Sequence, residues 1–429
     1  MKRFLLVLAV SISATPVILA QNPLDLRTAQ NLAASADPRL RQLQLEADQS
    51  QLRLQDIAME RRPSLSVESH AQYQSETVEL PFAAPGRASP QAPKDSYDAS
   101  ILVDQPLLDP SRKARIAAER ARLAESQARI GTALYALRRE VNEAFFTAAE
   151  LQEREARVGE TIKDLEARLH EAKLRVDQGV ALPSEGAAIE IALLQRRQDV
   201  SELRANRRAA LARLSELSGR ALAIDDPLIL PTLTAEFTET RASAETLRVR
   251  PEFALYDRTR DRLEAQKNLT LSEQHARVSA YGRAGYGKPG LNFLADDFHP
   301  YALAGIRLQW RPWDWGKSER ERKVLALQQE ASRADEEAFA RSLDRSIQTD
   351  LAAVDRLNES IATDERIVAL RELIAGETGA RYDEHVVTAA EYIDKQTDVL
   401  EARLAIAGHR LELARAQANV LNLLGVEIR

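Results

Sequence analysis

The sequence predicts a mainly α-helical protein with a small β part, built from two copies of one structural unit. Shifting the chain by 206 residues superimposes matching residues over a long stretch, which indicates internal duplication. Each copy begins with two segments in which apolar and polar residues alternate, a pattern typical of strands. Each copy then continues into a long run without proline, in which apolar residues recur at three- and four-residue spacing, a pattern typical of helices. Matching pairs include Arg175 with Arg381, Asp177 with Asp383, Glu185 with Glu391 and Gly219 with Gly425.

Residues 1–20 read as a secretory signal peptide, with Lys2 and Arg3 before a short apolar run and Ala20 at the expected cleavage position. The apolar run is too short for a transmembrane anchor, which needs about 20 residues. The chain has no cysteine, so neither a disulfide nor a lipid-bearing thiol is expected. No later stretch is apolar enough to form a membrane helix, so any membrane role must depend on strands.

The first copy is predicted over residues 21–222. A helix from Leu24 to Arg62 is expected to break near Asp37-Pro38. Period-two alternation then predicts strands, and Pro106 is expected to end the second one. Gly179 and Pro183 mark a turn between two long helices. The predicted elements are strands at about 64–74 and 97–104, a loop at 75–96, and helices at about 111–178 and 184–218.

Residues 223–250 are predicted to link the copies, since they contain Pro227 and Pro231. The second copy, 251–429, opens with a helix at Arg250-Pro251-Glu252. Its remaining elements repeat the first copy, with the helical turn near His385. They are strands at about 277–286 and 301–310, and helices at about 316–383 and 388–424.

The lengths of these elements restrict the architecture. At 1.5 Å per residue the helix predicted at about 111–178 would be about 100 Å long, which favours coiled-coil-like packing. The alternating segments have about 9–11 residues, the length of a tilted membrane strand. Four strands cannot close a barrel, and lipid does not tolerate an open sheet edge. If these strands cross a membrane, several chains must share one barrel, and three chains would supply twelve strands.

All three tryptophans, Trp310, Trp313 and Trp315, lie at one strand-to-helix junction. Tryptophan favours the lipid headgroup level, so this junction is the expected membrane edge. The alternative is a small aromatic cluster that packs the end of a strand, and the neighbouring Arg311 and Lys317 favour the membrane edge.

The residues argue against several other functions. The charge is interspersed, with a net value of −6, so nucleic acid is not an expected partner. The six histidines show no paired metal-ligand spacing, and neither a phosphate-binding loop nor a catalytic serine motif is present. We therefore expect no enzymatic activity, no metal site and no cofactor, and energy for any transport must come from a partner.

The chain resembles the TolC-like outer-membrane efflux proteins along essentially its whole mature length. The resemblance depends on the tandem order of strand, loop, strand, long helix, turn and return helix. It also depends on motifs that are weak singly but specific in their order. These are Val-Asp-Gln-Pro-Leu-Leu-Asp (103–109), Gln-Trp-Arg-Pro-Trp-Asp-Trp-Gly (309–316), Val-Asp-Gln-Gly-Val (176–180), the Arg-Pro-Glu and a terminal Leu-Leu-Gly.

This resemblance implies a homotrimer in the outer membrane of a Gram-negative bacterium. Twelve strands would form a β-barrel in the membrane, continued by an α-helical barrel through the periplasm. Such proteins are passive exit channels of tripartite efflux pumps or type I secretion systems. Their partners are a periplasmic adaptor, also called a membrane fusion protein, and an inner-membrane transporter. Drugs, metal ions and exported proteins all remain open as cargo.

The resemblance also implies roles for residues near the two helical turns. Gly179, Val180, His385 and Val386 would contact the adaptor, although His385 replaces a glycine that is frequent in the family, which leaves that turn's geometry open. Glu391 and Asp394 would ring the periplasmic entrance, and Tyr382 would hold it shut. The alternatives are ordinary helical hairpin turns and a pair of solvated surface charges. An arginine expected at position 387 is Val387 here, so any latch that used this cation would be absent or rebuilt.

Four charged or polar residues on the strands, Glu68, His70, Arg283 and Arg307, are predicted to face a water-filled lumen. Surface charges on a soluble sheet would give the same pattern. The competing hypothesis for the whole protein is a periplasmic coiled-coil scaffold or adaptor without a pore. It would explain the helices but neither the four membrane-length strands nor the tryptophans.

Overall fold

A computed structural model describes residues 23–78, 92–243, 249–292 and 294–428. The predicted signal peptide, 1–20, lies outside the described residues, as does most of the predicted loop at 75–96. In chain order the elements are β1 Leu24–Asp25, α1 Leu26–Ala36, α2 Arg39–Met59, β2 Ser64–Tyr73, β3 Asp95–Leu108, α3 Ser111–Asp177, α4 Pro183–Ser218, β4 Leu228–Ile229, α5 Thr234–Ser243, α6 Pro251–Ser272, β5 Arg277–Lys288, β6 His299–Gln309, α7 Lys317–Asp383 and α8 Ala389–Leu424.

The predicted fold class is confirmed, with four long helices, two pairs of strands and a break in the first helical segment. The long helices match in pairs: α3 and α7 have 67 residues each, and α4 and α8 have 36 each. The segment predicted only as a linker contains β4 and α5, which the sequence analysis did not predict. The description of residues 21–222 and 251–429 as two copies stays a prediction from sequence.

The chain divides into two compact units that do not follow the sequence repeat. The helical unit contains the residues up to Asp37, Leu137–Thr246 and the residues from Ile347. The sheet unit contains Pro38–Ala136 and Leu247–Ser346. Each unit therefore draws on both sequence copies.

The sheet unit contains a four-stranded antiparallel sheet in the order β2-β3-β5-β6. The strands β2 and β6 lie at its edges, and each pairs with one neighbour among the described strands. The prediction that Pro106 ends its strand is wrong, because β3 continues to Leu108 with a bulge between these two residues. The strand β2 starts at Ser64, opposite Asp104. Beyond that point β3 has only β5 as a neighbour, so a residue without an N–H is tolerated there.

The sheet has one polar and one apolar face, because its register aligns the alternating residues of all four strands. The polar face carries Glu68, His70, Asp98, Ser100, Asp104, Arg283 and Arg307, and the apolar face carries Leu65, Val67, Ile101, Val103, Ala284, Ile306 and Leu308. On the apolar face Leu65, Val67, Ile306 and Leu308 are all at least 65% exposed.

Two tyrosine–glycine pairs join β5 to β6 on the polar face. Tyr281 is opposite Gly305, and Gly285 is opposite Tyr301. A Cβ at Gly285 would lie 2.6 Å from the Tyr301 ring, and one at Gly305 would lie 2.8 Å from the Tyr281 ring. Both glycines therefore allow a ring to pack directly on the backbone.

The Arg-Pro-Glu motif at the start of α6 has a structural role in the sheet unit. The Arg250 guanidinium lies over the Tyr135 ring at 5.2 Å and over the Phe339 ring at 5.4 Å. Its Nε donates to Glu252 at 2.9 Å. Arg250 therefore joins α3, α6 and α7 by stacking and ion pairing, for which a planar guanidinium is suited.

The core of the helical unit forms where the first described residues meet the long helices. The strand β1 pairs in parallel with β4, with Leu24 opposite Leu228. The buried set is Leu24, Leu26, Ala29, Ala33, Val141, Phe145, Ala148, Leu211, Leu214, Leu228, Ala418 and Leu421. Within it the Gln30 Nε2 donates to the Asn142 Oδ1 at 2.6 Å, which pairs one polar atom from each of two buried amides.

Candidate functional site

The two long helical hairpins of the helical unit turn in the same way. In the α3–α4 turn, Gly179 has a φ of 74°. Its N–H donates to the Val176 carbonyl, and the Val180 N–H donates to the Arg175 carbonyl. This is the Schellman arrangement, in which one left-handed residue ends a helix.

In the α7–α8 turn, His385 occupies the glycine position with a φ of 62°. The His385 N–H donates to the Tyr382 carbonyl at 3.0 Å, and the Val386 N–H donates to the Arg381 carbonyl at 2.8 Å. The histidine therefore keeps the turn geometry of the first copy, although a residue with a Cβ adopts this φ at a cost. Val180 and Val386, one residue further, are both exposed.

The first turn of α8 has a capping sequence that the sequence analysis missed. Thr388 precedes the helix, and its hydroxyl accepts a hydrogen bond from the Glu391 N–H at 3.2 Å. The spacing Thr-x-x-Glu at 388–391 is a known signal for a helix start, so it could have been recognised. Part of the role of Glu391 is therefore to favour the start of this helix, where a negative charge is stabilising.

Glu391 and Asp394 lie on one exposed face of α8, as their spacing predicted. Lys395 contacts Asp394 at 3.0 Å. Tyr392, between the two acids, points the other way and is buried. The structure thus separates the predicted gate residues, because Tyr382 is buried between helices while the two carboxylates face solvent.

Two tyrosines form the centre of the interface between the hairpins. Tyr382 on α7 and Tyr392 on α8 are each 1% exposed, and their rings stack with centroids 5.2 Å apart. The Tyr382 hydroxyl donates to Glu185 on α4, in a short hydrogen bond. The Tyr392 hydroxyl donates to Asp164 on α3 at 2.8 Å. We call these four residues, together with Arg168 and Arg175, the tyrosine cluster.

The two arginines of the cluster cover the stacked rings from outside. Arg168 lies 5.3 Å from the Tyr392 ring centre, and Arg175 lies 5.2 Å from the Tyr382 ring centre. Arg168 also pairs with Asp383 at 2.8 Å. Val387, where an arginine was expected, packs against the cluster as a partly buried apolar residue, and the cations of the cluster come from α3.

The environment of the cluster keeps both tyrosines protonated. Burial raises the pKa of Tyr382, and its hydrogen bond to Glu185 raises it further. Burial and the nearby Asp164 carboxylate raise the pKa of Tyr392 to about 12. Both phenols are therefore hydrogen-bond donors throughout the physiological pH range. The sequence analysis assigned a site role only to Tyr382 among these residues, because the others come together from three other helices, α3, α4 and α8.

The predicted lumen residues lie among polar side chains on one face of the sheet. Arg283 donates to Ser100 and Asp98, both at 2.9 Å, and lies 3.9 Å from Glu68. Arg307 pairs with Asp104 at 3.5 Å. His70 is directly opposite Asp98 on the neighbouring strand. The four residues therefore share one face, and the prediction that this face lines a lumen stays a prediction.

The three tryptophans lie just after β6 and are exposed. Trp313 and Trp315 pack edge to face, with centroids 5.8 Å apart. Between them Asp314 accepts hydrogen bonds from the backbone of Gly316 and from both the backbone and hydroxyl of Ser318, in the first turn of α7. At the matching junction of the first copy, Asp109 accepts from the backbone and hydroxyl of Ser111. The proline-plus-aspartate motifs therefore cap the long helices.

A second aromatic group lies at the opposite end of the strands. The Phe298 ring stacks on Tyr97 at 6.1 Å and on Tyr286 at 5.7 Å. All three side chains are exposed, and the two tyrosines lie on the apolar face. Aromatic residues therefore lie at both ends of the strands, and the membrane edge at the tryptophans stays a prediction.

Among the described residues, no helix is both long enough and apolar enough to cross a membrane. The same part of the chain contains no group of three or more His, Cys, Asp or Glu residues placed to hold a metal ion.

Residues 29–220 match the family described as outer membrane efflux protein. No curated protein sequence gives a significant match.

Several solved outer-membrane channels share the fold over nearly the whole chain. VceC of Vibrio cholerae has 14% identity and a TM-score of 0.66, covering 94% of this chain and 97% of that one. CmeC of Campylobacter jejuni has 13% identity and a TM-score of 0.66, covering 93% and 85%. MtrE of Neisseria gonorrhoeae, in its open state, has 16% identity and a TM-score of 0.65, covering 94% and 89%. The resemblance drawn from the sequence is confirmed: residues 29–220 match the outer membrane efflux protein family, and the chain has the fold of the TolC-like outer-membrane channels.

Proposed function

We propose that this protein is the passive exit channel of a tripartite efflux pump or type I secretion system. It would lie in the outer membrane of a Gram-negative bacterium and extend into the periplasm. A periplasmic adaptor and an inner-membrane transporter would complete the assembly and supply the energy. The family match and the shared fold support this class of function.

The observation that carries the proposal is the two-faced sheet with open edges. One face is exposed and apolar, and the other is polar and ion-paired. The edge strands β2 and β6 leave backbone groups that lipid cannot satisfy. Pairing β2 of one copy with β6 of the next would satisfy them, and three copies would give a closed barrel of twelve strands.

Cysteine cross-linking would test this pairing, because the natural chain has no cysteine. Val67→Cys and Leu65→Cys on β2 would be combined in turn with Ile306→Cys and Leu308→Cys on β6. At least one combination should give an oxidation-dependent ladder that stops at three copies. The single variants are the matched controls and should give none of this ladder. A folded protein that stays monomeric without detergent would instead favour the scaffold hypothesis.

The periplasmic entrance is proposed to lie at the two helical turns. Threefold symmetry would place six carboxylates from Glu391 and Asp394 around a narrow opening, which would attract cations. In planar bilayers, Glu391→Ala with Asp394→Ala should lower the cation preference. Glu401→Ala with Glu412→Ala removes the same charge further along α8 and is the control. If both double variants have the same cation preference, Glu391 and Asp394 do not form the gate.

The turns themselves are the proposed contacts for the adaptor. Val180 and Val386 are exposed beside Gly179 and His385, so an apolar side chain of the partner could cover them. We expect Val180→Asp with Val386→Asp to weaken adaptor binding and to leave pore formation in bilayers unchanged. Equal adaptor binding by this variant and the natural protein would place the contact elsewhere.

A further inference from the structure

The tyrosine cluster contains two separate connections between the hairpins. Tyr382 joins α7 to α4 through Glu185, close to the turns. Tyr392 joins α8 to α3 through Asp164. Since each hydroxyl and its acceptor belong to different hairpins, moving one hairpin away from the other must break both hydrogen bonds.

Arg168 strengthens the second connection. It covers the Tyr392 ring and pairs with Asp383 on α7, so it links α3 to both helices of the other hairpin. The Tyr392 ring also packs close to the α7 backbone, with 3.7 Å between it and a Cβ built at Gly379. The ring has little freedom to turn away, and its hydroxyl is held at Asp164.

The sequence repeat shows that this second connection occurs only once in each chain. At the offset of 206 residues, Asp164 and Arg168 correspond to Leu370 and Ile374, which are apolar and exposed. Tyr392 corresponds to Gly186. The hydrogen-bonding set is therefore specific to the interface between α3–α4 and α7–α8 of one chain, and the matching positions elsewhere cannot form it.

We propose that Tyr392, Asp164 and Arg168 form a second latch that holds the channel entrance closed. This inference rests on the proposed channel function and adds a restraint on α8 to the one that Tyr382 places on α7. Opening requires both latches to release, because either hydrogen bond alone keeps the hairpins in contact. Arg168 is a positioning residue, since it orients the ring and α7 while the hydroxyl of Tyr392 makes the bond.

Tyr392→Phe is the sharpest test, because it keeps the stacked ring and removes only the hydroxyl. We expect its open probability in planar bilayers to rise about tenfold, the scale of a hydrogen bond to a charged group. Tyr256→Phe, a phenol of the sheet unit, is the matched control and should behave as the natural protein does. Tyr382→Phe with Tyr392→Phe should raise the open probability by about the product of the two single effects, because opening breaks both hydrogen bonds.

A double-mutant cycle separates this latch from a general loosening of the fold. Asp164→Ala removes the same hydrogen bond from its other end. Tyr392→Phe with Asp164→Ala should therefore open about as much as either single variant, and cation preference should not change. If the effects of Tyr392→Phe and Asp164→Ala add, or if Tyr392→Phe has the open probability of the natural protein, the second latch is overturned. Neither result would contradict the proposed channel function. A natural protein that forms no pores at all would overturn the channel and the latch together.

Discussion

Replacing His385 by glycine should strengthen the second helical turn, because its φ of 62° is one that residues with a Cβ adopt at a cost. Gly179, in the same arrangement in the first copy, provides a matched control with the opposite change. Gly179→Ala keeps the space around the turn open, since no atom lies within 4 Å of the added Cβ. Its effect therefore reports the backbone conformation alone.

The expected magnitudes follow from these contacts. The left-handed conformation costs a residue with a Cβ roughly 1–2 kcal/mol. His385→Gly removes this cost but also loses the 3.3 Å contact between the Arg175 guanidinium and the His385 ring, which is exposed. An exposed polar contact contributes about 0–1 kcal/mol. We therefore expect a net stabilisation of about 1 kcal/mol for His385→Gly and a destabilisation of about 1–2 kcal/mol for Gly179→Ala.

Hydrogen exchange on the full-length protein in detergent would measure both effects locally. About 1 kcal/mol corresponds to roughly a fivefold change in local opening. The amides of His385 and Val386 should exchange about fivefold more slowly in His385→Gly. Those of Gly179 and Val180 should exchange faster in Gly179→Ala. Faster exchange in His385→Gly would show that the Arg175 contact outweighs the backbone cost, which would refute this reasoning.

Three other changes have comparable controls. Arg250→Lys should lower thermal stability by about 1–2 kcal/mol through lost stacking, whereas Arg258→Lys, which is exposed, should not. Gly285→Ala should reduce the yield of folded protein, because its Cβ would overlap a tyrosine ring at a cost of about 1–3 kcal/mol, whereas Gly282→Ala has open space. The Tyr392 phenol has a pKa of about 10 in the unfolded chain and about 12 in the folded protein. Its hydrogen bond should therefore stabilise the fold fully below about pH 10, and this stabilisation should be lost as the pH rises through about 12. Phenolate absorbance, compared with Tyr392→Phe, would show this late titration, and a phenol that titrates near pH 10 would contradict it.

Periodicity predicted most of the fold because the long elements have a regular buried face. The helix α7, for example, ends at Asp383 as predicted, and β5 begins at Arg277. The strand β1 was not predicted, because a two-residue parallel pair with β4 has no local pattern. The prediction for Pro106 was wrong because a strand tolerates proline where no neighbouring strand needs its N–H. That depends on where β2 begins, which the residues of β3 alone do not show.

The candidate site was predicted less completely than the fold. Tyr382 was identified through the family resemblance, but its acceptor, Glu185, is 197 residues away. Tyr392 is 228 residues from Asp164, and neither had a motif to mark it. Contacts between separate helices depend on how the helices pack, and helical periodicity reports only which face is buried.

The tyrosine–glycine pairs have a consequence for how β5 and β6 find their alignment. Tyr281 covers Gly305 and Tyr301 covers Gly285, so each strand contributes one tyrosine and one glycine to the two pairs. Sliding one strand by two residues keeps the same face but sets Tyr281 against a side chain in either direction, opposite Leu303 or Arg307. The hairpin thus discourages its own misalignment, which fixes the position of β6 relative to β5.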